Sequence, residues 1–196
     1  ALFRASNWHV IECKYGRRLQ AAFDRPHGEA LRQRIDEMSN QEYQSIIRVP
    51  GEEARGRLIL NASDPHGVAQ AIEDVPDTEL PELLADLGGH DIAELLDAFA
   101  QAKAQTDAPT VVFAYTIKGW GLPIAGHPMN HSALLTEQQI VELQEKLEIP
   151  EGGEWDRFQE DSPEARYCRT AAERLRGIDE VQPAPLVPPD AIPETL

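Results

Sequence analysis

The feature that most constrains this sequence is an apolar run that opens directly into a glycine-rich loop. The run, residues 110–115, reads TVVFAY and contains β-branched and aromatic residues without polar alternation. Such a run predicts a parallel-sheet strand that is covered on both faces. The carboxyl end of a parallel strand is where α/β folds bind their ligands. We therefore predict an α/β fold, a parallel sheet flanked by helices, with a ligand site just after residue 115.

The loop after the strand carries a cation and two imidazoles. Gly119 and Gly121 let the backbone turn sharply and lie close to a ligand, while Lys118 supplies a point charge for a diphosphate or a carboxylate. An imidazole can donate a hydrogen bond or shuttle a proton near neutral pH. His131 and His127 are therefore the candidate catalytic residues, and Lys118 is the candidate ligand-binding residue, although an isolated lysine is more often a solvated surface charge.

The two histidines also have the i, i+4 spacing of zinc ligands on a helix. Pro128 and the neighbouring glycines disfavour a helix here, and the sequence offers no evident third ligand. We expect no metal site in this loop.

The first half of the chain predicts a strand followed by helices. Residues 8–13, WHVIEC, form the expected first strand, and residues 17–25 have the apolar spacing of a helix. Residues 28–47 are also helical in pattern. Residues 48–80 mix glycine, proline and acidic residues, which predicts loops and short helices.

Residues 91–105 give the clearest helical pattern of the sequence. Asp91 is a plausible N-cap, and Glu94 three residues later completes a capping-box-like start. The apolar residues have the spacing of a core-facing stripe: Ile92, Leu95, Leu96, Phe99 and Ala102.

Two more helices are predicted near the end of the chain. Thr136 and Gln139 cap one over residues 137–147, whose expected buried side is formed by Ile140, Leu143 and Leu147. The second begins at residues 162–163 and is stopped by Gly177. Residues 178–196 contain five prolines, which predicts an extended linker. The expected organisation is one domain over residues 1–177 and a linker over residues 178–196.

The composition excludes several classes of partner. Acidic residues outnumber basic ones by 34 to 18, for a net charge of −16, which argues against nucleic acid and anionic membranes because both require a positive surface. The two cysteines are too few for a disulfide framework. No apolar run is long enough to span a bilayer. We expect a cytoplasmic protein.

Four motifs in register resemble those of thiamine-diphosphate enzymes of the transketolase type, most closely the homodimeric decarboxylating component of pyruvate dehydrogenase complexes. The likeness covers nearly the whole chain, and the motifs that carry it are the following: Phe3-Arg4 with Trp8-His9-Val10-Ile11, Gly88-Gly89-His90-Asp91, the TIKGWG turn of residues 116–121, and Asn130-His131-Ser132. The resemblance implies that residues 1–177 are the later part of the diphosphate-binding domain, so that the chain is expected to be a fragment.

The resemblance also implies cofactors. Family members bind thiamine diphosphate and Mg²⁺ through a Gly-Asp-Gly motif and a following Asn, and this sequence contains no Gly-Asp-Gly. The metal ligands are therefore expected before Ala1, and the glutamate that activates the cofactor after Leu196. By the same resemblance Lys118 lines the active site and His131 contacts the substrate-derived part of the adduct. His127 matches a second histidine of the transketolase branch.

The implied function is oxidative decarboxylation of pyruvate, with transfer of the acetyl group to a lipoyl-bearing acyltransferase by a homodimeric enzyme. A transketolase acting on sugar phosphates is one alternative, and a dehydrogenase for 2-oxobutyrate or another short 2-oxo acid is a second. A third alternative, from another class, is a non-catalytic fragment that serves as a dimerisation module.

Overall fold

The structure, a computed structural model, describes residues 2–176 and contains a two-stranded parallel sheet. Strand β1 is His9–Cys13 and strand β2 is Thr110–Ala114, in a register that pairs His9 with Thr110 and Cys13 with Ala114. Helices flank the sheet. Both the α/β class and the parallel pairing of the two predicted strands are confirmed.

Ten helices occur in the described part of the chain. Their bounds are α1 Leu2–Ala5, α2 Arg17–Phe23, α3 Gly28–Glu37, α4 Asn40–Ile46, α5 Gly51–Leu60, α6 Pro65–Ala71, α7 Leu80–Leu84, α8 Ile92–Ala104, α9 Glu137–Lys146 and α10 Pro163–Arg176. The chain folds into two compact units, the first ending at Leu143 and the second beginning at Gln144. Within residues 2–176, no helix combines the length and the apolar character needed to cross a bilayer.

The predicted helix over residues 28–47 is interrupted in the structure. Met38 has an extended backbone, with φ −65° and ψ 138°, which ends α3. Ser39 then caps α4, since its hydroxyl accepts a hydrogen bond from the Glu42 N–H at 3.2 Å. A serine that begins a new helix is the local reason for the break.

We call residues 28–84, helices α3 to α7, the helical excursion. The loops and short helices expected over residues 48–80 are present, the longest being α5 with ten residues. The excursion also holds most of the buried core. Helix α3 packs on α6, and α5 packs on both α6 and α7. Fully buried side chains of this core include Leu31, Ile46, Leu58, Val68, Ile72, Leu80 and Leu84.

A buried arginine joins three helices of the excursion. The Arg34 side chain is only 3% exposed. Its Nε donates to the Leu58 carbonyl at 3.1 Å, and its Nη2 donates to the Glu42 carboxylate. A buried charge requires such pairing, because transfer of an unpaired ion out of water is costly.

The sheet is less covered than its sequence predicts. Strand β2 is half-buried at its start and exposed at Phe113 and Ala114, so burial on both faces was wrong for this chain. The predicted core-facing stripe of α8 was wrong for three of its five residues: Ile92, Leu96 and Phe99 are 73%, 61% and 59% exposed. Leu95 and Ala102 are half-buried, and Ala98 is the buried residue of this helix. Helix α8 packs on both strands through one side, and no element within residues 2–176 covers the other.

The predicted N-cap of α8 is confirmed in part. One carboxylate oxygen of Asp91 accepts from the Ala93 and Glu94 N–H groups at 3.0 and 3.1 Å, as a cap requires. The reciprocal half of the capping box is replaced, because the Asp91 N–H donates to the Gly88 carbonyl at 3.3 Å. Glu94 instead lies 4.0 Å from Arg17.

The caps predicted for the last two helices are present. The Thr136 hydroxyl accepts from the Gln139 N–H at 3.3 Å, and the Gln139 side chain accepts from the Thr136 N–H at 3.0 Å. The expected buried side of α9 was wrong, because Ile140 and Leu147 are exposed. The Ser162 hydroxyl caps α10 by accepting from the Ala165 N–H. Gly177 and the linker predicted over residues 178–196 lie outside the described residues.

Candidate active site

The site is built where the two parallel strands end. The Gly88 N–H donates to the Lys14 carbonyl at 3.2 Å, and the Gly89 N–H donates to the Tyr115 carbonyl at 2.9 Å. A Cβ on Gly88 would lie 2.5 Å from the Cys13 carbonyl carbon, and one on Gly89 would lie 2.4 Å from the Tyr115 oxygen. This glycine pair therefore packs backbone to backbone against the carboxyl ends of both strands, as only residues without Cβ can.

The glycine-rich loop folds back onto the residue from which it departs. Gly119 and Gly121 have φ of +74° and +81°, the left-handed region that favours glycine. The Lys118 carbonyl then accepts from the Gly126 N–H at 3.4 Å and from the Asn130 side-chain amide at 3.0 Å. These two bonds bring the end of the loop back to the end of β2.

By folding back, the loop brings two of the predicted site residues together. The Lys118 Nζ lies 2.9 Å from Nδ1 of His131, which is a hydrogen-bond distance. The contact lies at the carboxyl end of β2, the position expected of ligand-binding groups in a parallel sheet.

A cavity of about 460 Å³ surrounds this contact. Its volume lies within the range typical of small-molecule sites. The strand ends, the helical excursion and the loop each contribute walls: Lys14, Tyr15, Ile35, Asp36, Met38, Asn40, Tyr43, Gln44, Leu87, Tyr115, Thr116, Ile117, Lys118, Asn130 and His131. All of these residues belong to the first compact unit.

The structure separates the two predicted histidines. His131 lines the cavity and His127 lies outside its lining. Nδ1 of His127 accepts from the Met129 N–H at 3.0 Å, which closes a local turn. The loop thus gives the two imidazoles different surroundings.

His90 has the structural role that its position in the turn suggests. Its Nε2 accepts from the Ile117 N–H at 2.7 Å, and its ring stacks on Trp120 with centroids 4.6 Å apart. Burial lowers the pKa of His90, opposed by the carboxylate of Asp86. A neutral imidazole is required here, because Nε2 must remain an acceptor.

A second polar cluster in the cavity lining was missed in the sequence. The Asp36 carboxylate accepts from both Lys14 Nζ and the Tyr15 hydroxyl. Burial acts to raise the pKa of Asp36, but the hydrogen bonds from Lys14 and Tyr15 outweigh it, so that this pKa is lowered. The available signal was the position of Lys14 and Tyr15, directly after the first strand.

The Tyr43-Gln44 pair of α4 also lines the cavity. The Tyr43 hydroxyl donates to the Leu84 carbonyl, and burial raises the pKa of Tyr43. A Cβ on Gly126 would lie 3.3 Å from the Gln44 carbonyl oxygen, so this glycine seats the loop against α4.

The residues present fit the reacting end of an anionic ligand better than a metal ion. Lys118 offers a cation and His131 an imidazole, but the cavity's one carboxylate, Asp36, is engaged by Lys14 and Tyr15. Within residues 2–176, no three His, Cys, Asp or Glu side chains are grouped so that they could hold a metal. These residues alone do not make the oxygen-rich site that Mg²⁺ prefers.

Comparison with known proteins gives the same identification as the motifs. Residues 80–156 match the family described as transketolase, thiamine diphosphate binding domain. The pyruvate dehydrogenase E1 component of Corynebacterium glutamicum is 30% identical over 95% of this chain and 22% of its own length. The corresponding proteins of Pseudomonas aeruginosa and Escherichia coli are 28% and 23% identical, each over 90% of this chain and 20% of their own length.

The chain therefore spans about a fifth of the length of these curated relatives. The matched domain contains the glycine pair, Lys118 and His131, and the wider similarity extends over 95% of the chain. The resemblance seen in the sequence is confirmed: residues 80–156 match the transketolase thiamine diphosphate binding domain, and the chain is similar along nearly all its length to pyruvate dehydrogenase E1 components.

Proposed function

We propose that this chain is part of a thiamine-diphosphate-dependent 2-oxo-acid dehydrogenase that decarboxylates pyruvate and transfers the acetyl group to a lipoyl carrier. The observation that carries the proposal is the Lys118–His131 contact of 2.9 Å in the cavity at the strand ends. The similarity to pyruvate dehydrogenase E1 components supports the choice of substrate. Residues 1–177 are then the later part of the diphosphate-binding domain, and residues 178–196 a linker to the next.

In this proposal Lys118 binds the anionic end of the ligand. Its ammonium is a compact charge with three donors, of which one is used by His131. The others can hold the carboxylate of a 2-oxo acid until it leaves as carbon dioxide. Thiamine diphosphate, when bound, supplies the carbon nucleophile and the electron sink for that decarboxylation.

His131 acts on the oxygen of the substrate's keto group. That oxygen gains negative charge as its carbon is attacked, and a hydrogen bond or proton from an imidazole stabilises it. His127 is a second candidate for proton transfer. Since its Nδ1 accepts from the Met129 N–H, its Nε2 is the nitrogen left for such a role.

The remaining assignments follow from the same proposal. Mg²⁺ and the diphosphate are held by residues outside this sequence, which contains no Gly-Asp-Gly. The enzyme is a cytoplasmic homodimer, and its macromolecular partner is a lipoyl-bearing acyltransferase.

Transketolase is a second candidate function. The matched domain carries that family's description, and two histidines occur in the loop, as in the transketolase branch. A sugar phosphate substrate would need a cation for its phosphate, and Lys118 could serve. The two functions are separated by substrate: pyruvate and a lipoyl acceptor for one, two sugar phosphates for the other.

The test is an assay of the polypeptide encoded by the gene that carries this sequence, with thiamine diphosphate and Mg²⁺. Release of carbon dioxide from pyruvate and acetylation of a lipoyl domain are measured for the wild type and for His131→Ala. We expect His131→Ala to lower acetyl transfer about 100-fold or more. The matched control is His66→Ala, which removes an exposed histidine of α6 and is expected to leave the rate unchanged.

Equal rates for the two variants would contradict the role of His131. Turnover of sugar phosphates but not of pyruvate would favour transketolase. A dimerisation module predicts neither reaction, and no shift of the melting temperature with cofactor. A bound cofactor at 100 times its dissociation constant would instead add about 2.7 kcal/mol to the free energy of unfolding.

A further inference from the structure

The Lys118–His131 contact decides more than the position of the imidazole. A lysine ammonium has three donors and no acceptor. At 2.9 Å from Lys118 Nζ, Nδ1 of His131 must therefore be the acceptor and carry no proton. In a neutral imidazole the proton then resides on the other ring nitrogen, Nε2.

We propose that Lys118 is a positioning residue that sets the tautomer of His131, so that the imidazole presents Nε2–H to the ligand in the cavity. This inference deepens the proposed function and rests on it for its catalytic meaning. The tautomer itself follows from the contact alone. When one ring nitrogen of a histidine is held by a fixed partner, that bond determines the protonation of the other.

The loop contains a device that maintains the contact. The Asn130 side-chain amide donates to the backbone carbonyl of Lys118 at 3.0 Å, and the Gly126 N–H donates to the same carbonyl. Asn130 directly precedes His131 in the chain, so the bond places the imidazole beside the lysine that serves it. Lys118 therefore anchors the loop through its backbone carbonyl and orients His131 through its side-chain ammonium.

The contact with Lys118 also determines whether His131 donates or accepts a hydrogen bond toward a ligand. With Nδ1 occupied by Lys118, His131 meets a ligand oxygen as a hydrogen-bond donor. A donor suits an oxygen that gains negative charge. An imidazole of the opposite tautomer would present a lone pair to that oxygen and repel it.

The other charged groups of the cavity do not compete for this contact. Lys14 donates to Asp36, and Asp36 also accepts from Tyr15. Lys14 thus provides a matched control, a second lysine of the same cavity whose partner is a carboxylate.

The experiment is a long-range ¹H–¹⁵N correlation spectrum of the histidine rings of this chain at neutral pH, without cofactor or substrate. The His131 signals are identified by their loss in His131→Asn. We expect a pyridine-like shift for Nδ1 and a pyrrole-like shift for Nε2. Lys14→Met should retain this pattern, while Lys118→Met should move both shifts toward those of a solvated imidazole, in which the two tautomers exchange.

Two further variants test the mechanism of the effect. Lys118→Arg restores a cationic donor and should restore the wild-type pattern. Asn130→Ala should give an intermediate pattern, since the lysine remains but its loop anchor is lost. Both residues are on an exposed loop, so the remaining backbone signals should report an unchanged fold.

The inference is overturned if His131 carries its proton on Nδ1, if both ring nitrogens are protonated at neutral pH, or if Lys118→Met leaves the spectrum unchanged. Failure of the proposed function is distinguishable from these outcomes. Absence of turnover with pyruvate, combined with the expected spectra, would refute the activity and leave the tautomer assignment standing.

Discussion

The helical excursion is more deeply buried than the sheet and α8, which is the opposite of what their sequences predict. The excursion has an irregular composition, yet its side chains form the buried core, with Leu58 and Ile72 fully buried. The sheet and α8 are strongly apolar, yet Phe99, Leu96 and Phe113 remain exposed. The difference teaches that apolar character predicts a tendency to be buried, whereas burial itself requires a partner element. The excursion helices provide partners for one another.

The largest effect is expected from unpairing the buried arginine of the excursion. Glu42→Ala leaves the Arg34 guanidinium, 3% exposed, without its carboxylate, and should lower the free energy of unfolding by about 3 kcal/mol. The control is Asp97→Ala, which removes an ion pair between α8 and Arg17 whose side chains are more than half exposed. It should cost about 1 kcal/mol at most. If urea unfolding showed equal losses in the free energy of unfolding for the two variants, the ion pair of the excursion would be no more important than the exposed pair on α8.

A matched pair of leucines measures the difference in burial directly. Leu58→Ala empties a fully buried position of α5 and should cost about 3 kcal/mol. Leu96→Ala makes the same chemical change on the exposed side of α8 and should cost about 0.5 kcal/mol or less. Urea unfolding followed by circular dichroism compares them. A large loss for Leu96 would mean that the outer side of α8 is buried in solution.

A glycine in each region sharpens the comparison further. Gly89→Ala would bring a Cβ to 2.4 Å from the Tyr115 oxygen at the end of β2, and the required shift should cost about 2 kcal/mol. Gly56→Ala places a Cβ in open space on α5 and should stabilise the chain by about 0.5–1 kcal/mol through the higher helix propensity of alanine. Thermal unfolding measures whether each variant loses or gains stability. A neutral Gly89→Ala would contradict the close packing of the glycine pair on the strands.

The smallest effect concerns pH and the junction between α8 and β2. Burial lowers the pKa of His90, so the folded chain binds this proton less readily than the unfolded chain. The stabilisation is complete above the unfolded pKa of about 6.5 and is lost as the pH falls below it through the lower folded pKa. Protonation also removes the acceptor for the Ile117 N–H.

The measurement compares the free energy of unfolding at pH 7 and pH 5 for the wild type and His90→Asn. An asparagine oxygen can accept the same bond without titrating, so His90→Asn should lose less stability on acidification. His66→Asn, at an exposed position of α6, should behave as the wild type does. The same pH dependence in all three chains would refute the contribution of His90.

The candidate site could be predicted only in part. The position of Lys118 and His131 after a parallel strand was evident, because a strand end and a glycine-rich loop are local patterns. Lys14, Tyr15 and Asp36 were missed, since Asp36 meets the other two only when α3 packs beside the end of β1. That meeting depends on how the excursion folds, and no spacing in the sequence encodes it.

The sequence by itself determined the features that depend on neighbours within a few residues. These are the two strands, the caps at Asp91, Thr136 and Ser162, and the left-handed turns at Gly119 and Gly121. Tertiary structure alone decided which apolar faces are buried and that Lys118 lies 2.9 Å from His131. The physical reason is that hydrogen bonds of caps and turns close within a few residues. Burial instead requires elements that are distant in the chain, and the Lys118–His131 contact requires the whole loop between these residues to fold back.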